Sequence, residues 1–161
     1  MPDVAGVGIY RTAVASDWID YNGQLRDAYY GLIVSHAIDA LMERIGLDAA
    51  YRERTSCTLY TLELHMHYLR EIKADATVSA DVRVLGADRK RVHAAFDLHT
   101  ASHAEPAACA EVMLLHVRQS PEPRSEPFPP EVIAALSQLQ ESTAALPASR
   151  FGSRPIRLPV R

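Results

Sequence analysis

Between Ala28 and Ile45 the apolar residues Tyr29, Ile33, Ala37, Ala40, Leu41 and Ile45 recur at helical spacing, which predicts an amphipathic helix of about five turns. Asp27 stands where an N-cap is expected, and Gly46 follows where a left-handed residue ends a helix. Downstream the pattern changes to strict alternation. Leu62, Leu64, Met66 and Tyr68 alternate with Glu63, His65, His67 and Leu69. Val78, Ala80, Val82 and Val84 alternate with Thr77, Ser79, Asp81 and Arg83, and Val92, Ala94, Phe96 and Leu98 with His93, Ala95, Asp97 and His99. Each run predicts a strand with one buried face. The segment from Ala108 to Val117 is apolar on nearly both faces, as a more central strand requires. Near the N-terminus, residues 8–15 carry enough β-branched and aromatic character for a further short strand.

The links Gly86-Ala87-Asp88-Arg89 and Ser102-His103-Ala104-Glu105-Pro106 are short and turn-like, which predicts antiparallel neighbours. Pro121, Pro123, Pro127, Pro129 and Pro130 mark an extended, exposed segment ahead of a second amphipathic helix, roughly Pro130 to Ala144. The tail from Pro147 to Arg161 is expected to be poorly ordered or wrapped over a partner. The order strand, long helix, four strands, helix predicts an α+β fold in which one antiparallel sheet wraps around one long helix. A single domain over 1–161 follows, with its core at about 8–120, the proline-rich segment and helix at about 121–146, and the tail at 147–161. The sheet's second face and its edges stay open in this scheme, so a homo-oligomer, dimer or dimer of dimers, is expected.

Composition narrows the function without naming it. At 161 residues, with hydrophobic residues at 48% and charged ones at 23%, the chain can bury a substantial core. A net charge of −3 argues against a general affinity for nucleic acid, which needs a basic surface. Two cysteines, Cys57 and Cys109, are too few for a disulfide framework, and both fall where small buried hydrophobes fit. No charged start followed by an apolar run marks a signal peptide, and no apolar stretch approaches a membrane span, so a soluble cytoplasmic protein is expected.

Chemistry concentrates in Asp20-Tyr21-Asn22-Gly23-Gln24-Leu25-Arg26-Asp27, a polar turn directly before the predicted long helix. It sets a carboxylate, a flexible glycine and the unpaired N–H groups of a helix start close together, the pairing that acyl transfer needs. A turn aspartate that bonds its own backbone is the alternative reading of Asp20. On the first of the alternating runs, Thr61, Glu63, His65 and His67 are expected to share one sheet face by their spacing. That face is either solvated surface or a pocket wall. His65 and His67 also have the spacing of metal ligands on a strand, but no cysteine pair or acidic ligand motif accompanies them. Arg89-Lys90-Arg91 is a cationic hairpin, by default a solvated turn.

Two stretches resemble a known family. Asp20, Gly23 and Tyr30 with their intervening residues resemble the D-x-x-G-H-x-N-N-x-x-Y signature of hot-dog thioesterases, in the group related to 4-hydroxybenzoyl-CoA thioesterase. Asp17-Trp18-Ile19-Asp20-Tyr21-Asn22-Gly23-Gln24-Leu25 and Thr61-Leu62-Glu63-Leu64-His65-Met66-His67-Tyr68-Leu69-Arg70-Glu71 are similar to motifs of thioesterase-like proteins associated with L-carnitine catabolism. The resemblance spans about residues 8–130 and implies the hot-dog fold and hydrolysis of an acyl-CoA thioester, with no metal or redox cofactor. It implies that Asp20 is the catalytic carboxylate, as nucleophile or as base for water. It further implies that a backbone N–H at or near Asp27 polarises the carbonyl, helped by the helix dipole.

Asn22, Gly23, Gln24 and Arg26 would then line the substrate site, Glu63, His65 and Tyr68 its acyl pocket, and Arg89, Lys90 and Arg91 the CoA phosphates. Gln24 and Arg26 are among the departures from the family pattern. Gln24 replaces its histidine and cannot titrate, while Arg26 replaces an asparagine and adds a cation beside the loop. The carnitine association points to a short, trimethylammonium-bearing acyl group such as betainyl-CoA, which Trp18, Tyr21, Tyr29, Tyr30 and Tyr68 are suited to face. The alternatives are a hot-dog dehydratase or hydratase acting on acyl-CoA or acyl carrier protein, and a non-catalytic acyl-CoA-binding dimer.

Overall fold

Valines and alanines at even-numbered positions decide how the sheet meets its helix. In the computed structural model, which describes residues 6–147 and 152–159, the strands are β1 (Val7–Ala13), β2 (Cys57–Tyr68), β3 (Thr77–Ala87), β4 (Arg91–Thr100), β5 (Ala108–Arg118) and the two-residue β6 (Arg124–Ser125). They form one antiparallel sheet in the order β1-β3-β4-β5-β2, with β6 added to β5. The inner face presents Val78, Ala80 and Val82 from β3, Ala94, Phe96 and Leu98 from β4, and Ala108, Ala110 and Val112 from β5, all essentially without solvent contact. Alanines repeated along this face let a helix approach the sheet closely without leaving voids.

That helix is α1 (Asp27–Arg44), which buries Tyr30, Ile33, Val34, Ala37, Ile38, Leu41 and Met42 against the sheet. The expected hot-dog arrangement, an antiparallel sheet around one long helix, is the observed one. Gly46 at φ +92° lets the chain turn away, and the Leu47 N–H donates to Met42 O while the Leu47 side chain is fully buried. The start differs from expectation. Arg26 is the N-cap and Asp27 is the first helical residue, its Oδ1 accepting the N–H of Ala28 at 2.9 Å. Asp27 is therefore no N-cap; the chain is still extended at Arg26, whose N–H donates to Trp18 O.

Three further differences have local causes. The helix α2 (Ala49–Thr55) was not expected; Asp48 caps it by accepting the Tyr51 N–H, and its charged surface hides any stripe. β2 begins at Cys57, earlier than the alternation indicates, and it is bulged: Thr61 pairs with Leu114 and Glu63 with Met113, leaving Leu62 as the extra residue. The bulge corrects the expectation for Thr61, which faces the helix side with Leu114, whereas Glu63, His65 and His67 face outward. Third, the C-terminal segment touches the sheet's outer face: Ser153 donates its N–H and its hydroxyl to Glu111 on β5, and residues 153–156 border a cavity there, while Ile156 and Leu158 remain exposed. The rest of the expected tail, 148–151 and 160–161, lies outside the described residues.

The proline-rich segment is largely exposed but pinned at two points. Phe128 is buried and its N–H donates to Arg89 O, and buried His116 donates from Nδ1 to Glu126 O while Nε2 accepts from the Tyr51 hydroxyl. Burial pushes the His116 imidazole below its ordinary pKa, consistent with that neutral bonding pattern. The final helix, α3 (Pro130–Ser142), packs against β3 where β1 no longer pairs with it, beyond Val82. Cys57 and Cys109 are buried and in no disulfide, in keeping with the expectation of small buried side chains. No helix of the described residues is long and apolar enough to cross a membrane.

Candidate active site

The loop between β1 and α1 closes on itself through one aspartate. Oδ1 of Asp20 accepts the N–H of Asn22 at 2.8 Å and that of Gln24 at 3.2 Å, and the backbone repeats the link, with Asp20 N–H donating to Gln24 O and Gly23 N–H to Asp20 O. Gly23 takes φ +77°, a conformation glycine adopts without strain. Bridges from Ile19 to Leu25 and from Gln24 to Lys73 fix this small hairpin against the entry to β3, and Leu25 is buried beneath it. Asp20 thus ties its own turn through Oδ1, as the alternative reading expects, while among the described residues no hydrogen bond engages Oδ2.

A cleft of about 460 Å³ opens beside that oxygen. One wall is the loop itself, with Asp20, Tyr21, Gln24, Arg26 and Asp27; the other is the end of β2 and the residues after it, Tyr68, Leu69, Arg70 and Glu71, with Tyr30 at the base. Tyr30 and Tyr68 meet edge to face with centroids 5.1 Å apart, and Tyr30 donates its hydroxyl to Arg70 O. Burial pushes both phenols above their ordinary pKa, and the Asp27 carboxylate adds to the effect on Tyr68, so both stay neutral donors. Trp18 stacks on Tyr29 at 5.3 Å just behind the loop.

At the mouth of α1 the donors are unequally committed. The Ala28 N–H is taken by the Asp27 carboxylate and the Tyr29 N–H by Arg26 O. The Asp27 N–H has no acceptor among the described residues, and it lies at the positive end of an 18-residue helix. A carboxylate oxygen and an unpaired helix-start N–H on one cleft wall can deprotonate a nucleophile and hold the oxyanion that forms.

The remaining expected site residues are elsewhere in this chain. Asn22 and Gly23 belong to the turn and shape it. Glu63 and His65 lie on the sheet's outer face in a separate cavity of about 720 Å³ with His93, Glu111 and Met113. Arg89, Lys90 and Arg91 sit at the β3–β4 hairpin, the full length of β3 from the Asp20 loop, about 33 Å by strand rise. There Asp88 binds Arg91, and Lys90 donates to Ser125 Oγ. Among the described residues no group of three or more His, Cys, Asp or Glu could hold a metal ion. Leu69 and Arg70 were not singled out by sequence; only their place just after Tyr68 could have drawn attention to them.

Comparison with known proteins adds the family. The model of the thioesterase-like superfamily matches residues 14–136. A betainyl-CoA thioesterase of Pseudomonas aeruginosa is 45% identical over 150 residues, 93% of this chain and 94% of that protein. An L-carnitine dehydrogenase/betainyl-CoA thioesterase of Rhizobium meliloti is 36% identical across 90% of this chain, which spans only 29% of that longer protein. Among solved structures, a candidate thioesterase of Pseudomonas putida KT2440 superposes with a TM-score of 0.85 at 43% identity, covering 98% of this chain and 99% of its own. A Staphylococcus aureus protein solved in complex with CoA reaches 0.87 at 25% identity, covering 96% and 99%.

Proposed function

The chain belongs to the thioesterase-like superfamily, and from that premise we propose that it hydrolyses an acyl-CoA thioester to the free acid and CoA in the cleft beside Asp20. The observation that carries the reading is the unengaged Oδ2 of Asp20 on the same cleft as the unpaired N–H of Asp27. In the base route, Asp20 takes a proton from water as its oxygen attacks the thioester carbonyl carbon. The oxyanion is held by the Asp27 N–H and the helix dipole, the carbon–sulfur bond breaks, and the departing thiolate recovers the proton from Asp20. In the nucleophile route Asp20 attacks first and water releases the acid from the resulting anhydride. Single-turnover hydrolysis in heavy-oxygen water tests this: label in the Asp20 carboxylate establishes the anhydride route with water attacking the Asp20 carbonyl, and trapping of the acyl group on Asp20 by hydroxylamine identifies an anhydride that water opens at the acyl carbonyl.

The aromatic groups around the cleft and the two betainyl-CoA relatives support a short acyl group ending in a quaternary ammonium. Tyr68, Tyr30 and Tyr21 offer π faces to such a cation, and Glu71 offers a counter-charge. A homo-oligomer, working in the cytoplasm, completes the reading. Tyr60, Leu62 and Leu64 are exposed along β2, the edge strand, at 36%, 51% and 44%, Tyr60 and Leu64 on its two opposite faces, so a second copy pairing with this edge would cover apolar surface on both sides. Light scattering at micromolar concentration is expected to give a dimer or larger, and a stable monomer would count against the shared interface.

A panel of acyl-CoAs with a thiol-trapping readout tests the reaction itself. Release of free thiol, fastest with betainyl-CoA, is the expected result; binding without thiol release would leave an acyl-CoA binder, and hydration of an enoyl-CoA without thiol release a hydratase.

A further inference from the structure

The C-terminal segment is built onto the sheet by a specific anchor. Ser153 takes φ +52°, unusual for a residue with a side chain, and in that conformation its N–H and its hydroxyl both donate to the Glu111 carboxylate. Glu111 is mostly buried, and His93 holds it from the other side through Nε2. These bonds hold the Glu111 carboxylate below its ordinary range, so it stays charged and keeps the anchor. Past the anchor the segment runs along the outer side of β2 and encloses a cleft of about 460 Å³ with His65 and His67, whose rings lie 4.5 Å apart.

Arg154 and Arg157 line that cleft from the segment and His65 and His67 from the strand, with no carboxylate among its described lining residues; Arg154 also borders the adjoining cavity, which Glu63 and Glu111 line. In a protein with a net charge of −3, a cleft lined by two arginines and no described carboxylate is a local inversion of the surface charge. Guanidinium forks match phosphate oxygens in spacing and geometry, and imidazole N–H groups add donors.

Its position relates it to the reaction. His67 and Tyr68 are consecutive on β2 and point to opposite faces, so this cleft and the Asp20 cleft, which Tyr68 lines, flank the same end of one strand. β2 is the sheet's edge, so no further strand of this chain separates the two clefts on that side. We propose that the strap formed by residues 153–159, with His65 and His67, is the site that holds the phosphates of the CoA nucleotide, leaving the thioester at Asp20. This rests on the acyl-CoA hydrolase reading and assigns the phosphate contacts to the strap rather than to the Arg89–Arg91 hairpin.

The experiment compares wild-type protein with Arg157→Ala, Arg154→Ala/Arg157→Ala and, separately, Arg89→Ala. Free CoA binding is measured by calorimetry at low and high salt, and hydrolysis with one acyl group carried either on CoA or on N-acetylcysteamine, which has no phosphate. Melting temperatures confirm the fold. The strap variants are expected to weaken CoA binding about tenfold or more, to raise KM for the acyl-CoA by a similar factor with kcat little changed, and to leave the N-acetylcysteamine substrate unaffected. Unchanged CoA affinity in the double variant overturns the proposal, as does a loss confined to Arg89→Ala. Should wild-type protein bind CoA through the strap arginines yet release thiol from no acyl-CoA, the strap site stands and the hydrolase reading falls.

Discussion

Asp20 and Asp88 each open a turn in which Oδ1 accepts two backbone N–H groups, from Asn22 and Gln24 in one case and from Lys90 and Arg91 in the other. The turns part at the second oxygen. Oδ2 of Asp88 receives the Arg91 guanidinium, at 2.8 Å from Nε and 2.6 Å from the terminal nitrogen, and this pairing lowers the Asp88 pKa to about 2. Oδ2 of Asp20 meets no such cation among the described residues and borders a cleft instead. Local turn geometry is thus the same in both, and the two turns differ in the neighbour of one oxygen atom, set by tertiary packing; the proposed function assigns chemistry to the turn whose oxygen has no cation partner.

The strongest test of this contrast is a paired amide substitution. Asp20→Asn keeps the shape of the turn and removes both base and nucleophile, so hydrolysis is expected to fall by about two to four orders of magnitude. Asp88→Asn is expected to leave kcat/KM unchanged and to lower Tm by no more than a few degrees, since the pair it breaks is exposed. Equal activity in wild type and Asp20→Asn would remove the distinction between the two turns. Next in size is Asp27→Asn. An amide oxygen still accepts the Ala28 N–H and the backbone N–H of residue 27 is untouched, so less than about a tenfold loss is expected. A greater loss than in Asp20→Asn would move the catalytic carboxylate to the helix start.

The smallest expected effect is in acid. The folded pKa of Asp88 is depressed from 3.8 to about 2, so its contribution to stability is fully present above the unfolded value and disappears as pH falls through the folded one. The Tm difference between wild type and Asp88→Asn should therefore shrink between pH 4 and pH 2, read by thermal melts across that window. A constant difference would mean that the amide preserves what the carboxylate does.

Sequence pattern carried the scaffold well, because α1 and strands β3 to β5 each bury a single face and so write their period into the chain. It carried Asp20, Gln24, Arg26, Asp27 and Tyr68 to the cleft, since four of these are nearly contiguous and the fifth belongs to the second family motif. The Ser153–Glu111 anchor was illegible, being a bond between residues 42 positions apart with no periodic trace. So was the bulge in β2: alternation reads straight through Leu62, and only the partner strand reveals the added residue.

That added residue gives β2 one place where the chain can be a residue shorter without exchanging its faces. Deleting Leu62 would leave Thr61 opposite Leu114 and Glu63 opposite Met113 with nothing unpaired between them, so Glu63, His65 and His67 would still face outward and Leu64, Met66 and Tyr68 inward. The strand would lose its local bend and added twist, not its two faces, so length variation at this position is a change of strand shape and leaves the register of both halves intact.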